Sequence, residues 1–78
     1  MTVAQPSTPA SYFHLLRWHA ANPARRPMVV FTPKSMLRLK AAASALSDFT
    51  CGTFRPVIDD DKVANASRVI FCSGKIYH

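Results

Sequence analysis

Glutamate is absent from this chain of 78 residues, and its four acids, Asp48, Asp59, Asp60 and Asp61, leave everything before Asp48 without a carboxylate. Glycine is nearly as scarce, with only Gly52 and Gly74, so there is no glycine-rich loop to cradle a phosphate. Ser73-Gly74-Lys75 has a backbone-amide logic suited to anions, but the phosphate-loop pattern needs a second glycine five residues upstream. A tight strand-to-helix turn is the simpler reading. Asp59-Asp60-Asp61-Lys62 has neither the ligand spacing nor the glycine of a calcium loop and reads as a solvated acidic turn. Cys51 and Cys72 stand far apart with no further Cys or His at metal-ligand spacing, which excludes a zinc or disulfide framework and leaves two free thiols. His14 and His19 are five apart, not four, so they do not form a helical metal pair. None of the serines sits in a Gly-x-Ser-x-Gly elbow, so nucleophilic hydrolysis has no support. The apolar run Met28–Phe31 is far too short to cross a bilayer. The opening MTVAQPSTPA has neither the basic nor the apolar region of a secretory leader. A soluble, cytoplasmic protein is expected, and the sequon Asn65-Ala66-Ser67 carries no weight in that setting.

What is present is apolar. Hydrophobic residues make up 49% of the chain and proline occurs six times, which suits packed elements joined by proline-marked turns and excludes a disordered chain. A domain of this length buries only about 60% of its unfolded surface, so its stability is marginal without staples. The net charge of +6 is uneven. Arg17, Arg25, Arg26, Lys34, Arg38 and Lys40 have no acid near them in sequence, whereas Arg55, Lys62, Arg68 and Lys75 are matched by the four aspartates. Nucleic-acid binding is not expected, because these residues bracket apolar elements instead of forming a face and no nucleic-acid motif is present. An anion or acidic-partner site, or a solvated surface, accounts for them.

The order of elements reads as α/β. Ser7 or Thr8 can cap a helix with Pro9 in its first turn, and Asn22-Pro23 stops it, so a helix is expected to about Ala21. Its apolar stripe is Tyr12, Leu15, Leu16 and His19, flanked by Phe13 and Ala20. After the basic turn Ala24–Pro27, Met28–Thr32 is continuously apolar, the pattern of a strand covered on both faces in a parallel sheet, and Pro33 ends it. Such a strand needs neighbours on each side and helices above and below, and the rest of the chain offers too few elements to supply them. Lys40–Leu46 is Ala-rich and predicts a short helix, with Phe49 packing back before a turn at Cys51-Gly52. Thr53–Ile58 reads as a short strand that Pro56 confines to an edge. Arg68–Cys72 reads as a second buried strand.

The block YFHLLRWHAANPARRPMVVFTPKSMLR (Tyr12–Arg38), preceded by STPAS (Ser7–Ser11) and followed by RVIFCSGKIY (Arg68–Tyr77), resembles the decarboxylating component of the thiamine-diphosphate-dependent 2-oxoglutarate dehydrogenase family. The similarity is greatest to its actinobacterial 2-oxoglutarate decarboxylase/dehydrogenase type and runs from about Met1 to Tyr77. Family members are many hundreds of residues long. The resemblance therefore implies a fragment of a transketolase-like α/β enzyme: residues 1–33 as the end of the pyrimidine-binding domain, and residues 34–78 as the linker and start of the C-terminal domain. It implies a parent that decarboxylates 2-oxoglutarate on thiamine diphosphate and Mg²⁺ and passes the succinyl group to a lipoyl succinyltransferase in the tricarboxylic acid cycle. No catalytic, cofactor-binding or metal residue carries over, because the Gly-Asp-Gly…Asn motif and the activating glutamate are not in this sequence, and the fragment is expected to be inert alone. The matching exit segment Thr32–Arg38 lies, in the family, near a regulatory anion or nucleotide site, which makes Lys34 and Arg38 the expected phosphate contacts. Expected partners are the remainder of the parent enzyme or a full-length paralogue. The other class of reading is a small basic interaction module for an acidic partner.

Overall fold

The computed structural model describes residues 1–78 and begins with a parallel β-α-β unit. Strand β1 (Thr2–Ala4) leads through helix α1 (Pro9–Ala21) to strand β2 (Met28–Val30). The two strands pair in parallel, Thr2 opposite Met28 and Ala4 opposite Val30. Thr2 N–H donates to the Pro27 carbonyl at 3.0 Å, and Phe31 N–H to that of Ala4 at 2.9 Å. A parallel pair needs a long crossover, which α1 supplies.

Helix α1 begins and ends where its sequence dictates. Thr8 is extended and its hydroxyl accepts the Ser11 N–H at 3.1 Å, satisfying one of the orphan donors of the first turn. Pro9 follows at a position where its missing N–H costs nothing. At the far end the Asn22 N–H reaches the His19 carbonyl, and the Asn22 side chain then accepts from Ala24 at 3.0 Å, turning the chain out ahead of the basic loop. Arg25 in that loop has φ 46, an uncommon conformation for a residue with a Cβ.

The buried face of α1 differs from the expected stripe. Ala10, His14 and Leu15 are buried, with Leu15 the largest fully enclosed side chain, while Tyr12, Phe13, Leu16 and Trp18 remain at the surface. The helix is apolar around most of its circumference, the character of a helix covered on several sides, and this chain covers one.

Beyond β2 the chain makes only short elements. A 3₁₀ turn at Lys34–Met36 follows Pro33, and another covers Lys40–Ala42. The helix expected over Lys40–Leu46 is broken: Ala43 and Ala45 are extended, and helix α2 forms one step later, over Leu46–Thr50. Two bonds explain the shift. Ser44 Oγ accepts the Ala10 N–H at 3.1 Å, tying this stretch to the start of α1, and the Asp48 carboxylate accepts the Ala45 N–H at 3.2 Å, fixing the new N-terminus. Phe49 packs back as expected, edge-on to Phe13 with ring centroids 5.7 Å apart, and Gly52 at φ 92 makes the turn that only glycine adopts easily.

Neither of the later expected strands pairs. Thr53–Ile58 and Arg68–Cys72 join no ladder; the sheet has two strands. Asp59–Lys62 is an exposed turn in which the Asp60 carboxylate accepts the Lys62 N–H. The chain closes with a 3₁₀ turn at Gly74–Tyr77, held to the N-terminal segment by Ser7: its hydroxyl accepts the Gly74 N–H at 3.1 Å and its carbonyl accepts from His78 Nε2 at 2.7 Å.

The result is an open structure. Its accessible surface is 6780 Å², where a compact monomer of this mass exposes about 4,700 Å². Its radius of gyration is 13.8 Å, against about 11.5 Å for a compact chain of this length. Val69, Ile70 and Phe71 are 70%, 79% and 84% exposed.

Candidate functional site

Two clefts flank α1. The more polar one, about 670 Å³, lies between the first turns of α1 and the arm running from Ala41 to Ile58. Its chemistry-bearing groups include Ser11, His14, Ser44, Asp48, Cys51, Arg55, Tyr77 and His78. His14 lies on the inner face of α1, one turn past Ala10, and its Nε2 is 2.7 Å from the Asp48 carbonyl. A carbonyl only accepts, so Nε2 carries the proton and donates it. That nitrogen is occupied in tying α1 to α2 and is not a free base. Ser44 is occupied in the same way, accepting from Ala10. These contacts leave no nucleophile with a base in reach and oriented by a third group.

The remaining candidates are dispersed. His19 is half-buried one turn beyond His14, and no three His, Cys, Asp or Glu side chains come together as a metal site would require. Cys51 and Cys72 are free and exposed. Lys34 opens the first 3₁₀ turn and Arg38 follows just past its end, both exposed and neither lining either of the two clefts beside α1. The other early basic residues do not form a face with them: Arg17 lies over the Phe13 ring, 5.7 Å from its centroid, and Arg25 and Arg26 occupy the α1–β2 loop. This dispersal gives a basic module for an acidic partner no support.

Ser44 ties the middle of the chain to α1 and Ser7 ties the last turn to the N-terminal segment, and sequence reasoning assigned neither of them such a role. Only Ser7 carried a signal, as one of two capping candidates; with Thr8 taking the cap, Ser7 is free to grip the Gly74–His78 turn. The second cleft, about 620 Å³, is the more apolar, running between β1, α1 and the stretch Phe54–Ser73.

The residues present do not fit thiamine diphosphate. The two glycines lie in separate turns, Gly52 after α2 and Gly74 at the last 3₁₀ turn, the aspartates of the second half form an exposed loop, and there is no glutamate to face an aminopyrimidine. No helix is long and apolar enough to cross a membrane.

No protein-family model matches the sequence. Among curated proteins, the whole chain is 61% identical over 82 aligned residues to the "2-oxoglutarate dehydrogenase E1/E2 component" of Corynebacterium glutamicum. It is 51% identical over 85 to the "Multifunctional 2-oxoglutarate metabolism enzyme" of Mycolicibacterium vanbaalenii, and 49% to the protein of the same name in Mycobacterium sp. strain JLS. In each case the chain spans 7% of the relative's length.

Proposed function

We infer that this chain, a homologue of one short stretch of the 2-oxoglutarate dehydrogenase family, serves as a scaffold segment of such an enzyme and carries none of its chemistry. The observation that supports this reading is the coincidence of 49–61% identity along the entire chain with a cleft whose histidines and central serine are bound to the fold, His14 to the Asp48 carbonyl, His78 to that of Ser7 and Ser44 to the Ala10 N–H. Residues 1–33 contribute the end of a transketolase-like pyrimidine-binding domain, and residues 34–78 the linker and start of the C-terminal domain. The parent reaction is the decarboxylation of 2-oxoglutarate with thiamine diphosphate and Mg²⁺, followed by transfer of the succinyl group to a lipoyl carrier, in the cytoplasm and within the tricarboxylic acid cycle. The cofactor is bound elsewhere in that parent.

Lys34 and Arg38 have a narrower proposed role. Flanking one 3₁₀ turn with both side chains in solvent, they can meet the phosphate of a regulatory nucleotide. Adding AMP or acetyl-CoA to the labelled chain and following the amide signals of residues 34–38 tests this; shifts abolished by Lys34→Ala with Arg38→Ala support it, and unchanged signals refute it.

The reading as a whole is tested by a chimera in which this chain replaces its counterpart in the Corynebacterium glutamicum relative. Release of CO₂ from 2-oxoglutarate by the chimera, with none from the chain alone, is the expected result. A folded chimera without activity, or turnover by the chain alone, overturns it.

A further inference from the structure

The apolar cleft is not closed by this chain. One wall is β1 and α1, through Ala4 and Leu15; the other is the arm carrying Phe54, Val57, Ile70 and Phe71. Arg68–Cys72 has the composition of a strand, and its backbone groups pair with no other strand. An apolar, unpaired segment of strand composition beside an open groove is what a sheet looks like with a strand removed.

Resting on the reading above, we propose that this groove is the docking surface for an apolar strand from the remainder of a 2-oxoglutarate enzyme, which pairs along Val69–Phe71 and fills the space against Leu15. Two observations favour that occupant over a second copy of this chain, the length of the relatives and the charge, and the exposed area shows how much surface is left to cover. The relatives extend far beyond the matched stretch, which is 7% of their length, so covalently attached neighbours exist in them to fill the groove. The accessible surface exceeds that of a compact monomer by about 2,000 Å², well above the roughly 800 Å² per partner of a standard interface and in the range of obligate ones. Each copy carries a charge of +6, so two copies repel. The groove rim itself is balanced, Arg55 and Arg68 against Asp59 and Asp60, which suits an uncharged strand.

Hydrogen exchange on the isolated chain and on the chimera tests this. The amides of Val69, Ile70 and Phe71 exchange almost unprotected in the isolated chain and, in the chimera, at least about 100-fold more slowly. Phe71→Asp in the chimera returns the Val69–Phe71 amides to fast exchange while those of α1 stay protected. An active chimera whose Val69–Phe71 amides still exchange freely overturns the docking proposal and leaves the family reading intact. A chimera that folds without activity defeats the family reading, and the proposal falls with it. An isolated chain that sediments as a dimer with these amides protected assigns the groove to a second copy and also overturns the proposal.

Discussion

Replacing Leu15 with alanine removes the one large side chain this chain fully encloses, at 2% exposure. Truncating a buried leucine costs about 2–5 kcal/mol, depending on how far the site collapses. Here one wall of the site is an open groove, so relaxation is easy and the lower half of that range, about 2–3 kcal/mol, applies. The stability from which this is subtracted is small. The unfolded chain exposes about 12,500 Å², so 6780 Å² in the folded form means that about 46% is buried where a compact domain of this size buries about 60%. The low end of the usual range, about 0.05 kcal/mol per residue, gives about 4 kcal/mol for this chain. Leu15→Ala therefore removes half or more of it. Leu16→Ala, beside it but 43% exposed, costs less than about 1 kcal/mol. Urea titrations followed by far-UV circular dichroism of α1 measure both. The slope of each transition scales with the surface exposed on unfolding, so it should be about three quarters of that of a compact domain of equal length. Equal effects of the two substitutions, or a slope equal to that of a compact domain, would refute this reasoning.

Gly74 has φ 65, and a Cβ there would lie 2.5 Å from Gln5 Nε2; Gly74→Ala is expected to cost about 1–2 kcal/mol from the left-handed backbone. Adding Gln5→Ala should recover only the steric part in the same urea assay. Ser7→Ala deletes one of two bonds holding the C-terminal turn, so the Gly74 amide should exchange roughly fivefold faster, as expected for a loss of about 1 kcal/mol. A double-mutant cycle of Phe13→Leu and Phe49→Leu should give a coupling of about 0.5–1.5 kcal/mol from the edge-on ring pair; zero coupling would place α2 away from α1 in solution.

The parts of the fold legible in the sequence are those whose causes are local. Thr8-Pro9 and Asn22-Pro23 set the limits of α1 through hydrogen bonds within a turn of each end. The apolar run at Met28 marked β2, although the strand stops at Val30 instead of Thr32 and Val29 is 42% exposed, not covered on both faces, because the neighbours such a strand needs are not in this chain; Cys51-Gly52 marked a turn. β1 escaped notice because Thr2–Ala4 is three residues with no alternation to read, and its pairing with Met28–Val30 is a tertiary fact. α2 was misplaced because an alanine-rich run starts a helix equally well at several positions, and the choice is made by Ser44 reaching Ala10 and Asp48 capping Ala45. The two absent strands are a different case. Thr53–Ile58 and Arg68–Cys72 have strand composition, but a strand needs a partner, and this chain supplies none. The bonds that occupy His14 and Ser7 join residues far apart in sequence and could not be read from spacing.

The strand-like segments in the second half of this chain lack the neighbours that would pair and cover them. A heteronuclear NMR spectrum of the isolated chain, with amide exchange read residue by residue, tests this most directly. Dispersed, slowly exchanging signals are expected from β1, α1, β2 and the Ser7-bound Gly74 amide, with fast exchange from Thr53 to Cys72. Slow exchange throughout that stretch in a monomer would show that these segments find their partners within the chain, so that no further protein is needed to order them.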